Sequence, residues 1–408
     1  MSVSRRALLG GAAVAGLPLP GLRAEEPKIR IGVLTDLSGP YRETTGPTSV
    51  ICARQAVEDF RAAGGRLDVE IISADHRNDR NRGVLIARAW IDRADVDVIA
   101  DVPNSGVALA VAKVCRERDK VLLNASATAL DLTGARCSPN TVVWSFDNYT
   151  LAKSSGGAMV KAGGDTWFFI TADYVFGHSL EDQTSQVVTQ SGGKVLGRVA
   201  YPFPETFDFT PLLQQAAKSG AKVLGLANSG TDTLNCIMQA QDLGLTKAGI
   251  RIAPLLMYIT EVHALGLQSA GGLNVTETFY WDLNDRTRAF TQRVRSKTPN
   301  NLPNQAHASV YSSVLHYLKV AASMGPIEAR KSGAATVARM KQMPTDDDAF
   351  GKGGIREDGR GLFPAYLFRV KSAEESRGPW DLYDLVSTTP AAEAVRPLAQ
   401  TGCNLVRA

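Results

Sequence analysis

The sequence predicts an α/β protein built as two doubly wound parallel-sheet lobes joined by a three-crossing hinge. Three observations carry that prediction. β-type runs alternate with helical patterns from residue 28 onward, the alternation starts afresh near residue 150, and a third block of elements belongs to neither half alone. The 408 residues, 44% hydrophobic and 21% charged, are enough for two domains with their own cores.

The first half opens with the β-type run "KIRIGVLTD". A helix follows over "TSVICARQAVEDFRAAGG", stopped by its glycines, and then the strand "RLDVEIIS". Helix "RGVLIARAWIDRA", strand "VDVIAD", helix "GVALAVAKVCRERD" and strand "KVLLN" complete it. After "NTVVWSFDNYT" the second half runs helix "LAKSSGGAMVKAGG", strand "TWFFITA", helix "SLEDQTSQVVTQSGG" and strand "KVLGRVAY". It continues with helix "TPLLQQAAKSGA", strand "KVLGLA", helix "DTLNCIMQAQDLG" and strand "IRIAPLLMY".

The late block holds the strand "LNVTETFYWDLND", helices "RTRAFTQRVRSK", "ASVYSSVLHYLKVAASM" and "AATVARMKQM", and a final strand "LFPAYLFRVK". Between the last two, "GKGGIREDGRG" reads as a solvated turn carrying Arg356 and Arg360. Crossings between lobes are expected at Phe146–Tyr149, Thr276–Trp281 and Gly351–Gly361. The expected division is 26–147 with 279–355 for the first lobe, 148–278 with 361–390 for the second, and a C-terminal tail over 391–408.

Residues 1–24 read as an export signal. Ser4-Arg5-Arg6 precedes an apolar run, and Leu22-Arg23-Ala24 makes a small-residue cleavage site. The twin arginines point to the route that exports folded proteins. The run from Ala7 to Leu19 is broken by Pro18 and falls short of the roughly 20 residues a membrane span needs. Loss of Arg5, Arg6 and Arg23 takes the formal net charge from +4 to +1. A near-neutral chain without a basic run gives no reason to expect a nucleic-acid partner.

Export permits disulfides, and there are five cysteines. Cys52, Cys115 and Cys236 lie in helical patterns and read as buried thiols. Cys137 and Cys403 lie in loop-like sequence and form the candidate pair if one bridge exists.

In open parallel sheets ligands sit beyond the carboxyl ends of the strands. Those ends carry Thr35 to Tyr41, Asp101 to Gly106, Asn124 to Thr128, Thr171 to Tyr174 and Ala227 to Asp232. Asn104-Ser105 reads as a helix cap whose free N–H groups form an anion site, with Ser126 and Thr128 adding hydroxyl donors. The alternative, that each hydroxyl only caps its own helix, stays open here. Enzyme signatures are poor. The five histidines show no metal-ligand spacing, and neither a G-x-S-x-G nor a P-loop occurs. After the first strand stands "TDLSGPYRETTG" rather than a dinucleotide fingerprint. The expectation is a binding protein with no catalytic residue, metal or cofactor.

"IRIGVLTDLSGPY", "ISADHRNDRNRGVLIARAWI", "NASATALDLT", "DYVFGHSL" and "WDLND", in this order and spacing, resemble the periplasmic solute-binding proteins of the branched-chain amino acid (leucine/isoleucine/valine) type that serve ABC importers. The resemblance implies the type I periplasmic binding protein fold. It implies a monomeric clamp in the periplasm that closes on a small-molecule solute and presents it to membrane permease subunits. It places a substrate carboxylate at Asn104-Ser105-Gly106 and at Ala125 to Thr128, including Ser126 and Ala127. An aromatic at Tyr174 to Phe176 and the loop Asn228 to Asp232 close from the second lobe, and Tyr41 meets the substrate body.

One departure matters. Amino acid binders carry a glutamate after the strand matching "IRIAPLLMY", and this chain has no acid there before Glu261. An unpaired buried ammonium costs several kcal/mol, which disfavours an α-amino acid unless Asp173 or Asp232 substitutes for that glutamate. The expected solute is therefore a carboxylic acid, aliphatic or aromatic, a 2-oxo acid or an amino-acid-like molecule, set against Tyr258, Tyr280 and Trp281. The alternatives are a neutral amide-type solute or a ligand-sensing clamp for a membrane receptor.

Overall fold

A computed structural model describes residues 27–298 and 300–406; the export-signal reading lies outside the described residues. The first half comprises β1 (Ile29–Thr35), α1 (Gly46–Ala62), β2 (Val69–Asp75), α2 (Arg80–Arg93), β3 (Val98–Asp101), α3 (Ser105–Glu117), β4 (Val121–Asn124) and β5 (Thr141–Val143). All five strands pair in parallel in the order β2-β1-β3-β4-β5. The apolar faces explain the layering: Val50, Ala53 and Val57 of α1 bury on one side of the sheet, and Val107, Val111 and Val114 of α3 on the other.

The second half repeats the plan. Where the sequence suggests one helix over 151–164, the chain makes α4 (Asn148–Leu151), a π-turn (Ala152–Gly156) and α5 (Gly157–Lys161). Then come β6 (Thr166–Ala172), α6 (Val175–Gln190), β7 (Lys194–Tyr201), α7 (Thr210–Lys218), β8 (Val223–Ala227), α8 (Thr231–Asp242), β9 (Arg251–Pro254), α9 (Ile259–Leu265) and α10 (Leu267–Ala270). Its sheet is parallel in the order β7-β6-β8-β9. In both sheets the winding direction reverses beside the first strand, between β1 and β3 and between β6 and β8. A crevice opens at such a switch point because the two flanking loops diverge.

The late block alternates between the two cores. β10 (Asn274–Glu277) leads to α11 (Asp285–Arg295), α12 (Gln305–Met324), α13 (Pro326–Lys331) and α14 (Gly333–Gln342), which pack with the first sheet. β11 (Thr345–Asp347), β12 (Gly351–Ile355) and β13 (Gly361–Leu362) form a small antiparallel sheet. β14 (Ala365–Val370) pairs with β10 and with β15 (Tyr383–Thr389) over the second core. The last strand is thus β15, one beyond "LFPAYLFRVK". After α15 (Ala391–Ala394) the tail returns to the first half, where Cys403 is disulfide-bonded to Cys137. Cys52, Cys115 and Cys236 are buried and free.

The connecting segments are laced together by buried polar groups. Arg360 is 1% exposed. Its guanidinium donates to Asp147 (2.8 Å), to the carbonyls of Trp144 (2.7 Å), Gly361 (2.6 Å) and Ser145 (3.1 Å), and to Thr150 Oγ1 (3.1 Å). The solvated-turn reading of Arg360 is therefore corrected: a glycine-rich, charged stretch looks exposed, but here the fork reaches inward to collect carbonyls from the first crossing. Thr278 Oγ1 donates to Ser145 Oγ (2.9 Å), tying the second crossing to the first.

Candidate functional site

The loop after β1 is shaped by Asp36. Its carboxylate accepts the N–H groups of Gly39 (2.6 Å) and Tyr41 (2.9 Å) and the Asn78 amide (2.6 Å), which aims the Tyr41 ring across the crevice. β3 ends abruptly, with Asp101 at φ 77° and Val102 at φ 60°. Left-handed backbone is uncommon for aspartate and an outlier for a β-branched residue; such strain persists only where the surroundings over-determine it. Asn104 then caps α3 by accepting from Val107 N–H (3.1 Å). The N–H groups of Ser105 and Gly106 have no carbonyl a turn earlier to reach, as at any helix start.

Beyond β4, Asn124 donates to the Ala127 carbonyl (2.7 Å), and Ser105 Oγ accepts Ala129 N–H (3.3 Å). Ser126 Oγ donates to Asp101. The Thr128 hydroxyl is buried and has no partner.

From the other half, Tyr174 precedes α6 and Phe176 opens it, and the loop after β8 presents Ser229 and Gly230. Gly230 (φ 70°) must be glycine: a Cβ would lie 2.4 Å from the Pro40 carbonyl. Thr231 N–H donates to that carbonyl (3.3 Å), and Tyr41 and Tyr174 bring their hydroxyls to 2.5 Å, so the halves touch across the crevice. Ser229 Oγ, like Thr128 Oγ1, is buried without a partner.

Between these loops lies a cavity of at most ≈ 260 Å³, of which only ≈ 10 Å³ stands far enough from the walls to centre a water molecule. It is therefore thin. Tyr41, Thr44, Thr45, Pro103, Ser126 and Thr128 form one wall, and Tyr174, Phe176, Ser229, Leu256 and Tyr258 the other. A larger groove, ≈ 1880 Å³ by the measure that gives the cavity ≈ 260 Å³, runs between α11 and residues 371–384. Much of its charge is already matched, Arg288 with Asp282 and Lys371 with Asp381, whereas the thin cavity has polar groups that nothing satisfies.

The cavity wall carries no lysine, arginine or histidine. Acids stand behind it. Burial pushes the Asp101 and Asp232 carboxyls up to about 6 and Glu277 up to about 8, and raises Glu261 well above the carboxylate range. The same desolvation raises Tyr41 and Tyr258, keeping both phenols protonated and able to donate.

Of the residues the sequence nominated, the fold brings Tyr41, Ser126, Thr128, Tyr174, Phe176 and Tyr258 to the cavity. Asn104, Ser105 and Ala127 lie beside it, engaged in the local bonds just described. Asn228 accepts from Thr233 Oγ1 (2.8 Å) and Asp232 from the Tyr201 hydroxyl (2.6 Å), so both turn inward. Trp281 does not reach the cavity; its indole N–H donates to the Trp380 carbonyl (2.8 Å) in the larger groove. Tyr280 packs in the second core. Sequence reasoning missed Thr44, Thr45, Pro103, Ser229 and Leu256. Thr44 and Thr45 sit ten residues past the first strand end, where spacing gives no signal. Ser229 lay inside the nominated Asn228–Asp232 loop.

A family model described as periplasmic binding protein matches residues 28–376, and the chain belongs to that family. A periplasmic binding protein from Burkholderia mallei is 40% identical, with a TM-score of 0.88 over 93% of this chain and 99% of that one. A branched-chain amino acid ABC transporter periplasmic ligand-binding protein from Burkholderia xenovorans is 32% identical, with a TM-score of 0.80 over 92% and 99%. At 20% identity, a solute-binding protein from R. palustris in complex with benzoate shares the fold, with a TM-score of 0.78 over 93% and 100%. Comparison with curated proteins finds no match.

Proposed function

We propose that this chain is the periplasmic solute-binding component of an ABC importer, and that its cleft closes on a small, flat monocarboxylate. The observation that carries this reading is the pair of unpartnered hydroxyls, Thr128 and Ser229, facing one thin cavity from opposite halves. A buried hydroxyl without a partner costs about 1–3 kcal/mol, a cost a bound acceptor removes. The N-terminus of α3 adds amide donors and a favourable dipole for an anion. Aromatic walls and a narrow gap suit a planar body.

An ammonium has poorer prospects. Asp173 is exposed and paired with His178, Asp232 is held by Tyr201, and Glu261 accepts Tyr258 N–H (2.9 Å) without reaching the wall. The name of the Burkholderia xenovorans relative nevertheless makes leucine the competing solute. A solute bonded to both halves stabilises the closed arrangement by differential contacts.

The test is a thermal-shift screen of the mature protein against benzoate, hydroxybenzoates, short fatty acids, 2-oxo acids and leucine, since a bound solute raises stability by mass action. The largest shift is expected with an aromatic acid. A shift with leucine and none with the acids overturns the ligand class.

A further inference from the structure

Resting on that carboxylate reading, we propose that Asp101, which does not itself reach the cavity, is a specificity-determining residue: it sets the direction of the Ser126 hydroxyl and so decides whether that wall accepts a hydrogen bond from the solute or donates one.

A serine has one O–H, and Ser126 spends it on Asp101 Oδ1, leaving only lone pairs toward the cavity. An ionised aspartate accepts only. Once protonated it gains an O–H of its own, gives it to Ser126 Oγ, and frees the serine proton to point at the solute. The pair is thus a two-position relay between an acceptor wall and a donor wall.

Geometry singles out Asp101 for this role. The left-handed turn at Asp101 and Val102 tucks the carboxyl beneath the end of β4, where Ala125 N–H donates to the Asp101 carbonyl (3.3 Å). The side chain is wholly buried and its Oδ2 has no hydrogen-bond partner. The groups facing it are Thr35 and Asp36 from the end of β1, Ser49 and Cys52 from α1, Ser126 from the end of β4, and Tyr258 from across the cleft. None is a cation. Desolvation, with Asp36 adding to it, pushes the carboxyl up to about 6 despite the hydrogen bond from Ser126 and the nearby hydroxyls of Thr35 and Ser49, so the relay turns over between pH 5 and pH 7.

The experiment uses two probes of one shape: benzoate, whose carboxylate only accepts, and benzamide, whose amide also donates. Affinities of the mature protein for both are measured by calorimetry from pH 5.5 to pH 8, where a carboxylic acid of pKa about 4 stays ionised. The benzoate-to-benzamide affinity ratio should rise about tenfold from pH 8 to pH 5.5, the usual worth of one hydrogen bond to a charged group. Asp101→Asn should abolish that pH dependence, because a carboxamide does not titrate. Ser126→Ala should abolish it too, because Asp101 acts through that hydroxyl. Should Asp101→Asn not fold, as judged by its melting curve, the wild-type profile and Ser126→Ala still decide. A flat wild-type ratio, or a slope that survives in Ser126→Ala, overturns the inference while leaving the carboxylate reading standing. Failure of benzoate to bind at any pH overturns the carboxylate reading itself, and the inference with it; if benzamide alone fails to bind, the rise in benzoate affinity toward pH 5.5, lost in Ser126→Ala, decides in its place.

Discussion

Arg360 at the hinge and the hydroxyls of the cleft are both buried and both polar, yet their hydrogen bonding is opposite in kind. At the hinge, all five N–H donors of Arg360 meet acceptors, drawn from Trp144, Ser145, Asp147, Thr150 and Gly361. In the cleft, the hydroxyls of Thr128 and Ser229 meet none, and behind its wall neither does one oxygen of Asp101. A fully satisfied network fixes one arrangement of the chain; an unsatisfied set holds a place for something that arrives later. Unpartnered polar atoms also occur elsewhere, Trp144 Nε1 and Asn148 Oδ1 at the hinge among them; what marks the cleft is that Thr128 and Ser229 face one cavity from opposite halves.

Mutations at the two places should therefore separate stability from binding. The largest effect is expected from Arg360→Ala, which leaves Asp147 buried without its cation and should cost about 3–5 kcal/mol by chemical denaturation. Little loss there would break the contrast at its hinge end. Next comes Cys403→Ser. The disulfide closes a loop with a sequence separation of 266, and its removal should cost about 2–4 kcal/mol by the same measurement.

Glu277 sharpens the comparison through pH. Burial raises its carboxyl from 4.5 to about 8, although Tyr383 OH (2.9 Å) and Ile259 N–H (2.7 Å) both donate to it. The folded chain therefore holds this proton more tightly than the unfolded chain. Its contribution is fully present below pH 4.5 and is lost as pH rises through about 8. Stability should fall across that window by up to a few kcal/mol, and Glu277→Gln should flatten the fall in melting temperature between pH 5 and pH 8. An unchanged slope removes Glu277 as the cause. Smallest in stability is Thr128→Val. It should weaken benzoate binding about tenfold while leaving the melting temperature unchanged or slightly raised, since it deletes an unpaired buried hydroxyl.

The alternation of β1 to β5 and of β6 to β9 was legible because parallel strands buried on both faces read as continuous apolar runs such as "VLGLA". The carboxyl ends of those strands, and hence Tyr41, Ser126, Thr128 and Tyr174, followed from topology alone. What stayed hidden depends on contacts distant in sequence. Arg360 looked solvated because four of its five acceptors lie more than 200 residues earlier. Trp281 looked like a ligand platform because nothing near it announces the Trp380 carbonyl that takes its N–H. Asp101 carried no motif at all; only a left-handed φ and a neighbouring serine on the next strand give it a part in the site. The π-turn at Ala152–Gly156 was masked by an ordinary helical pattern.

The most direct test is a crystal structure of the mature protein with the best solute from the screen. The solute's acceptor oxygens should lie about 3 Å from Thr128 Oγ1 and Ser229 Oγ, with its body between Tyr174 and Tyr258. A solute seated in the groove beside Trp281 and Trp380, with both hydroxyls still unpartnered, would contradict the account.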